Sequence, residues 1–170
     1  TYFDNANFTG KTVARLTPQI DLDWKTGSPV TGIAADTFSA RWTGQVRPNF
    51  SEAYTFIVNS DEGVRLWVNN ALLIDMWQLQ TARDNSGTIS LTAGVRYDIK
   101  LEYFENTGAA SCKLFWTSPS VARRIIPSHA LFSTTPVTSV APQTATTTTK
   151  LLVPSVPGAT STLKTTAAVL

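Results

Sequence analysis

His129 and Cys112 are the only histidine and the only cysteine of the 170-residue chain, so nucleophilic or soft-metal chemistry would have to start from them. A nucleophilic triad needs a base, oriented by a third group, beside an activated Ser or Cys. No nucleophile motif accompanies either residue, and a surface or strand-edge place is the expectation for His129. Cys112 alternates with Leu114 and Trp116, which puts the thiol on an apolar strand face as a small hydrophobe. One cysteine forms no internal disulfide, and with one histidine it forms no Cys/His zinc site. Two carboxylates can cleave a glycosidic bond only when they face each other across the sugar. Asp61 and Glu62 are adjacent and ordinarily point apart, so a non-catalytic chain is expected.

Composition narrows the partners. All five Trp, four Tyr and eight Phe lie at or before Phe132, as do all twelve acidic residues and every basic residue except Lys150 and Lys164. Twelve positive charges balance twelve negative ones in that part, which argues against a nucleic-acid groove, since such a groove needs clustered Lys and Arg. No stretch approaches the roughly 18 uninterrupted apolar residues of a membrane span. Asn7-Phe8-Thr9 and Asn49-Phe50-Ser51 are N-glycosylation acceptor triplets, with Asn7 and Asn49 as the candidate sites. A chain that starts at Thr1 is expected to be a processed or trimmed product. With the Thr-rich C-terminal segment, these features predict an extracellular or cell-surface protein.

The elements that must position these residues read as strands. Tyr97, Ile99, Leu101 and Tyr103 alternate with Asp98, Lys100 and Glu102, the pattern of a half-buried antiparallel strand. Phe38, Ala40 and Trp42 alternate with Ser39, Arg41 and Thr43, and Tyr54 to Val58 is apolar enough to be covered on both faces. Val64 to Val68 and Ala71 to Asp75 flank Asn69-Asn70, a pair that tolerates positive φ and suits a tight hairpin. Further strands are expected at 87–91 and 111–116. No amphipathic helix of ten residues stands out, so the class is all-β, an antiparallel sandwich or barrel.

The order of these segments resembles the PA14 domain family. The run from Phe38 to Gly44, Tyr54-Thr-Phe56, Ser60 to Val68, Ile74-Asp-Met-Trp77, Leu91 to Gly94, Tyr97, Leu101-Glu-Tyr103 and Leu114-Phe-Trp116 carry the likeness. Asp21-Leu-Asp-Trp24 and Gly27-Ser-Pro29 extend it upstream; Ile126-Pro127 and Leu131-Phe132 extend it downstream. It covers 1–132 as one β domain. The resemblance implies a sandwich-like barrel of the kind found in toxin components, glycosidases and adhesins. In adhesins of that kind two consecutive aspartates hold a Ca²⁺ that in turn holds sugar hydroxyls. Carried over, the pair falls on Asp61 and Glu62, with an amide from Asn106 in the loop Glu105-Asn-Thr-Gly108. Glu62 departs from the second aspartate, which weighs against the Ca²⁺ site. The resemblance also implies that Trp42, Trp67, Trp77 and Trp116 are mostly framework. Trp24 and Trp77, the latter with its loop to Gln80, are the candidates for stacking on a sugar ring.

Residues 133–170 form a Thr/Ser/Pro-rich tail outside the resemblance, expected to be extended. Thr144, Thr146, Thr147, Thr148 and Thr149 are its O-glycosylation candidates. Thr146 to Val153 and Ser161 to Leu170 are rich in β-branched residues, so either could pair with a sheet edge of another copy and propagate a head-to-tail filament. A spacer to an anchor or further domain is the other reading of the tail. Two functions stay open for the chain: a non-catalytic structural or adhesion module built from copies of itself, and a carbohydrate-binding module for extracellular glycans.

Overall fold

The computed structural model describes residues 1–134, and the expected extended tail with its glycosylation and docking segments lies outside the described residues. Twelve strands follow in order: β1 (Tyr2–Phe3), β2 (Thr12–Val13), β3 (Asp21–Lys25), β4 (Ser39–Val46), β5 (Glu52–Ser60), β6 (Val64–Val68), β7 (Ala71–Met76), β8 (Arg83–Leu91), β9 (Tyr97–Phe104), β10 (Ala110–Ser118), β11 (Val121–Ile125) and β12 (Leu131–Phe132). A 3₁₀ turn at Ser128–Ala130 is the only helical element among the described residues, and it carries the exposed His129.

All the pairings are antiparallel. One sheet runs β2-β1-β4-β9-β6-β7, with β12 also on β4; the other runs β11-β10-β5-β8, with β3 also on β10. The alternation read in the sequence sorts each strand between the layers. Phe38, Ala40, Val64, Leu66, Leu101 and Tyr103 of the first layer pack with Tyr54, Phe56, Val58, Cys112, Leu114 and Trp116 of the second in one buried cluster. Removing this apolar surface from water is the main term that holds two twisted sheets face to face. Ile57, on the opposite face of β5, is buried as well. Asn69 and Asn70 both adopt positive φ, 50° and 62°, and turn β6 back into β7.

Trp67 is a correction to the framework expectation. It lies on the outer face of β6, half-buried, with Lys100 Nζ 3.6 Å from the ring centroid. Val64, Leu66 and Val68 take the inward positions of the strand, so period-two geometry sends Trp67 outward.

Candidate functional site

Two of the chain's crossings between the sheets lie side by side at one end of the sandwich. The turn 61–63 carries it from β5 to β6, and the loop 105–109 carries it from β9 to β10. The Phe104 N–H donates to the Gly63 carbonyl at 3.0 Å, and the Asp61 N–H donates to the Ser111 carbonyl at 3.2 Å. The acidic turn is therefore fastened to the strand ends on both sides of the loop that contains Asn106. The segment entering β4 closes a third side. Glu105 N–H donates to the Phe38 carbonyl (2.8 Å), Thr37 N–H to the Asn106 carbonyl (2.9 Å) and Gly108 N–H to Asp36 Oδ1 (3.2 Å). The structure thus brings the Asp61-Glu62 turn and the Asn106 loop to one place.

Negative charge collects there. Asp36, Asp61, Glu62 and Glu105 have no ion pair among the described residues. Burial raises the Asp61 carboxyl above its ordinary value. Burial also raises Glu62, with the charge of Asp61 adding and the N–H of Gln80 opposing. Glu105 is fully buried, accepts the Tyr103 hydroxyl on Oε2, and has no hydrogen-bond partner on Oε1. Burial pushes its carboxyl up to about 7 against that hydrogen bond, with the charges of Glu62, Asp61 and Asp36 contributing. Thr37 and Glu62 are both held at positive φ, 57° and 73°, a conformation that costs non-glycine residues free energy and clusters at ligand sites.

Hard oxygens are the donor chemistry of this end. The unpaired carboxylate of Asp61, the orphaned oxygen of buried Glu105 and the neighbouring amide loop suit a cation such as Ca²⁺, which takes carboxylate, carbonyl and amide oxygens. Among the described residues no three His, Cys, Asp or Glu side chains are grouped closely enough to hold a metal ion by themselves. A cation here would draw on the Asn106 amide and on backbone carbonyls in addition to the acidic pair.

The other sequence candidates fall elsewhere. Trp24 packs against the core, with ring centroids 6.2, 5.5 and 5.6 Å from those of Tyr2, Phe38 and Tyr103. Trp77 has Phe8 stacked on it at 5.4 Å, Phe104 at 4.8 Å and the Arg65 guanidinium 4.2 Å from its centroid. Both indoles are taken up in packing, in contrast to the expectation of open stacking faces. Asn7 and Asn49 are exposed, and Asn7 Oδ1 accepts the Thr9 hydroxyl at 2.8 Å. Glu105 and Gln80 are the residues that the sequence reading did not place in the site. For Glu105 the signal was the apolar pair Tyr103-Phe104, which ends the sequence alternation just ahead of it; burial runs unbroken from Leu101 to Glu105.

The PA14 domain profile matches residues 1–130. The chain belongs to the PA14 domain family. Anti-sigma-I factor RsgI3 of Acetivibrio thermocellus is 49% identical to this PA14 domain over 131 residues, which are 77% of this chain and 20% of that protein. The chain thus spans about a fifth of that curated relative. The solved structure of an anti-sigma factor domain-containing protein superposes with a TM-score of 0.77 at 48% identity, covering 79% of this chain and 46% of that one. A PA14 sugar-binding domain from an RTX adhesin shares the fold, with a TM-score of 0.57 at 18% identity over 68% of this chain and 76% of that one.

Proposed function

We propose that this PA14 domain is a non-catalytic carbohydrate-recognition module of a larger protein, working outside the cell or at its surface. In a protein built like the anti-sigma factors above, it would be the part that meets the glycan. The observation that carries the reading is the convergence of the Asp61-Glu62 turn with the 105–109 loop, which presents partly desolvated carboxylates without positive partners. Carboxylates and amides in such a setting accept and donate to vicinal sugar hydroxyls, and desolvation strengthens those hydrogen bonds. The sugar-binding designation of the RTX adhesin domain, which shares the fold, supports the same class of ligand.

Asp61, Glu62 and Asn106 would hold a Ca²⁺ ion at this end. When bound, that ion supplies a positive centre that sugar hydroxyls can ligate. The chain's own part is to keep the acidic turn and the amide loop in register, which the hydrogen bonds from Phe104 to Gly63 and from Asp61 to Ser111 accomplish.

The head-to-tail filament reading depends on segments of 133–170 that lie outside the described residues, and the relatives favour glycan recognition over it. Calorimetry of the full chain against a panel of plant and microbial polysaccharide fragments, with Ca²⁺ and with chelator, tests the proposal. Saturable binding that Asp61→Asn abolishes without changing the melting temperature is the expected result. Failure of every glycan to bind in both conditions would overturn it.

A further inference from the structure

We infer that Gln80 is the positioning residue of the acidic turn, an inference that rests on the glycan-recognition reading above. The sheet register puts it there. Met76 at the end of β7 pairs with Val64, and Arg83 at the start of β8 pairs with Ser60. The connection 77–82 is thereby tied at both ends to the residues that flank the turn 61–63, and it must pass across that turn.

Gln80 uses this passage to bind the turn through both its backbone and its side chain. Its carbonyl accepts the Glu62 N–H at 2.9 Å, and its own N–H donates to Glu62 Oε2 at 3.3 Å. Its Nε2 donates to the Glu62 carbonyl at 2.9 Å and to Ser60 Oγ at 3.1 Å, with the Ser60 carbonyl at 3.4 Å. The buried Asn85 donates to its Oε1 at 3.4 Å, which orients the amide so that the NH₂ faces the turn. Ser60 Oγ in turn donates to the Glu62 carbonyl at 3.2 Å.

These bonds serve two ends. They satisfy polar groups of a turn whose Glu62 sits at φ 73°, offsetting the cost of that backbone. They also hold the Glu62 carboxylate on one side of the turn, against the Gln80 N–H, while the Asp61 carboxylate has no partner among the described residues. Gln80 thus orients the acidic pair: Oε2 of Glu62 is anchored, which leaves its Oε1 and the Asp61 carboxylate for a ligand. A glutamine suits the position because a single amide both donates to the turn and accepts from Asn85.

The test uses the full chain and Gln80→Met, which keeps length and backbone bonds but removes the side-chain donor. Calorimetry with CaCl₂ alone and with the best glycan of the panel is combined with amide hydrogen exchange at Glu62 and a thermal melt. The expected result is affinity weakened by about tenfold to a hundredfold, the range for lost partners around a ligating group. Faster exchange at Glu62 and a melting temperature close to that of the wild type should accompany it. Gln80→Glu, which keeps the acceptor for Asn85 but loses the donor, should behave like the methionine variant. If the wild type binds and Gln80→Met binds equally well, or if Glu62 exchange is unchanged, the assignment is overturned. If the wild type binds neither Ca²⁺ nor any glycan, the recognition reading itself fails.

Discussion

The ring of Phe104 occupies the space that a side chain at position 63 would need: a Cβ on Gly63 would lie 2.0 Å from Phe104 Cε1. Phe104 is itself wedged against Trp77 at 4.8 Å, so the ring has no simple retreat. The turn that carries Asp61 and Glu62 is thereby held close to the end of β9 by the absence of a single carbon. Gly63→Ala is expected to cost about 1–3 kcal/mol through overpacking. Urea denaturation of Gly63→Ala alone and combined with Phe104→Leu checks this, because the smaller side chain should recover part of the loss.

Glu102 should be the most consequential charge on the outer face of the larger sheet. Its carboxylate is almost wholly buried and meets Arg41 Nε at 2.8 Å, Arg65 Nη2 at 2.9 Å and Lys100 Nζ at 3.9 Å. The register sets Arg41 and Arg65 directly opposite it on the two neighbouring strands. The three cations are about a third exposed, so water takes up part of their loss. Glu102→Gln is expected to lower stability by about 1–3 kcal/mol, the scale of hydrogen bonds to charged groups. A wild-type urea midpoint in this variant would contradict that ranking.

Acid stability should depend on Glu52 and Asp84. Glu52 accepts the Ser118 hydroxyl at 2.6 Å and the Ser120 N–H and hydroxyl at 3.1 Å, and the Ser118 bond above all holds its carboxyl below the ordinary 4.5. Asp84 is held low by Arg123 Nη1 at 2.7 Å and by Asn59 at 2.8 Å. A carboxyl whose folded pKa lies below its unfolded one contributes stability that is fully present above the unfolded value and is lost as pH falls through the folded one. Glu52→Gln and Asp84→Asn should each flatten the fall of the urea midpoint below pH 4.5. An unchanged acid limb in both variants would remove these groups from the account.

Cys112 is fully buried, and burial pushes its thiol well above the ordinary cysteine value. Since the thiolate is the reactive form, an alkylating reagent should reach it only when the sandwich opens. Labelling in native buffer is therefore expected to be slow and to accelerate with urea in step with loss of tryptophan fluorescence. Rapid labelling of the native chain would show that β10 opens locally.

The layers of the fold were legible because alternation is a local property. Tyr97 through Tyr103 needed only its own side chains to declare an inward and an outward face, and β9 follows that pattern up to Leu101. The site was legible in part. The Asp61-Glu62 turn and the loop that contains Asn106 lie together because two crossings between sheets end side by side, which the family resemblance suggested and strand periodicity could not. Glu105 and Gln80 were missed for a physical reason: what each does is fixed by partners distant in sequence. Gln80 meets Glu62 eighteen positions away, and Glu105 takes the charges of Asp36, Asp61 and Glu62 from two other loops. Trp24 and Trp77 show the converse: both sit beside loops in the sequence, and both are covered by aromatic rings from elsewhere in the chain.

Leu101 and Trp67 separate burial from size as the measure of what the core requires. Leu101 is 1% exposed at the centre of β9 and faces the second sheet, whereas the larger Trp67 lies on the outer surface of β6. Leu101→Asp buries a carboxylate with no cation in reach of the apolar cluster, a cost of several kcal/mol that a domain of this size does not tolerate. Trp67→Ala removes a half-buried ring and its cation–π contacts with Lys100 and Arg65, at 3.6 and 5.6 Å from the centroid. Each such contact is worth about 0.5–1 kcal/mol at an exposed site. The expected outcome is an unfolded Leu101→Asp chain and a Trp67→Ala chain that keeps its β circular dichroism with a modestly lowered melting temperature. Unfolding of both would place Trp67 in the framework after all, and folding of both would deny that the two sheets share one core.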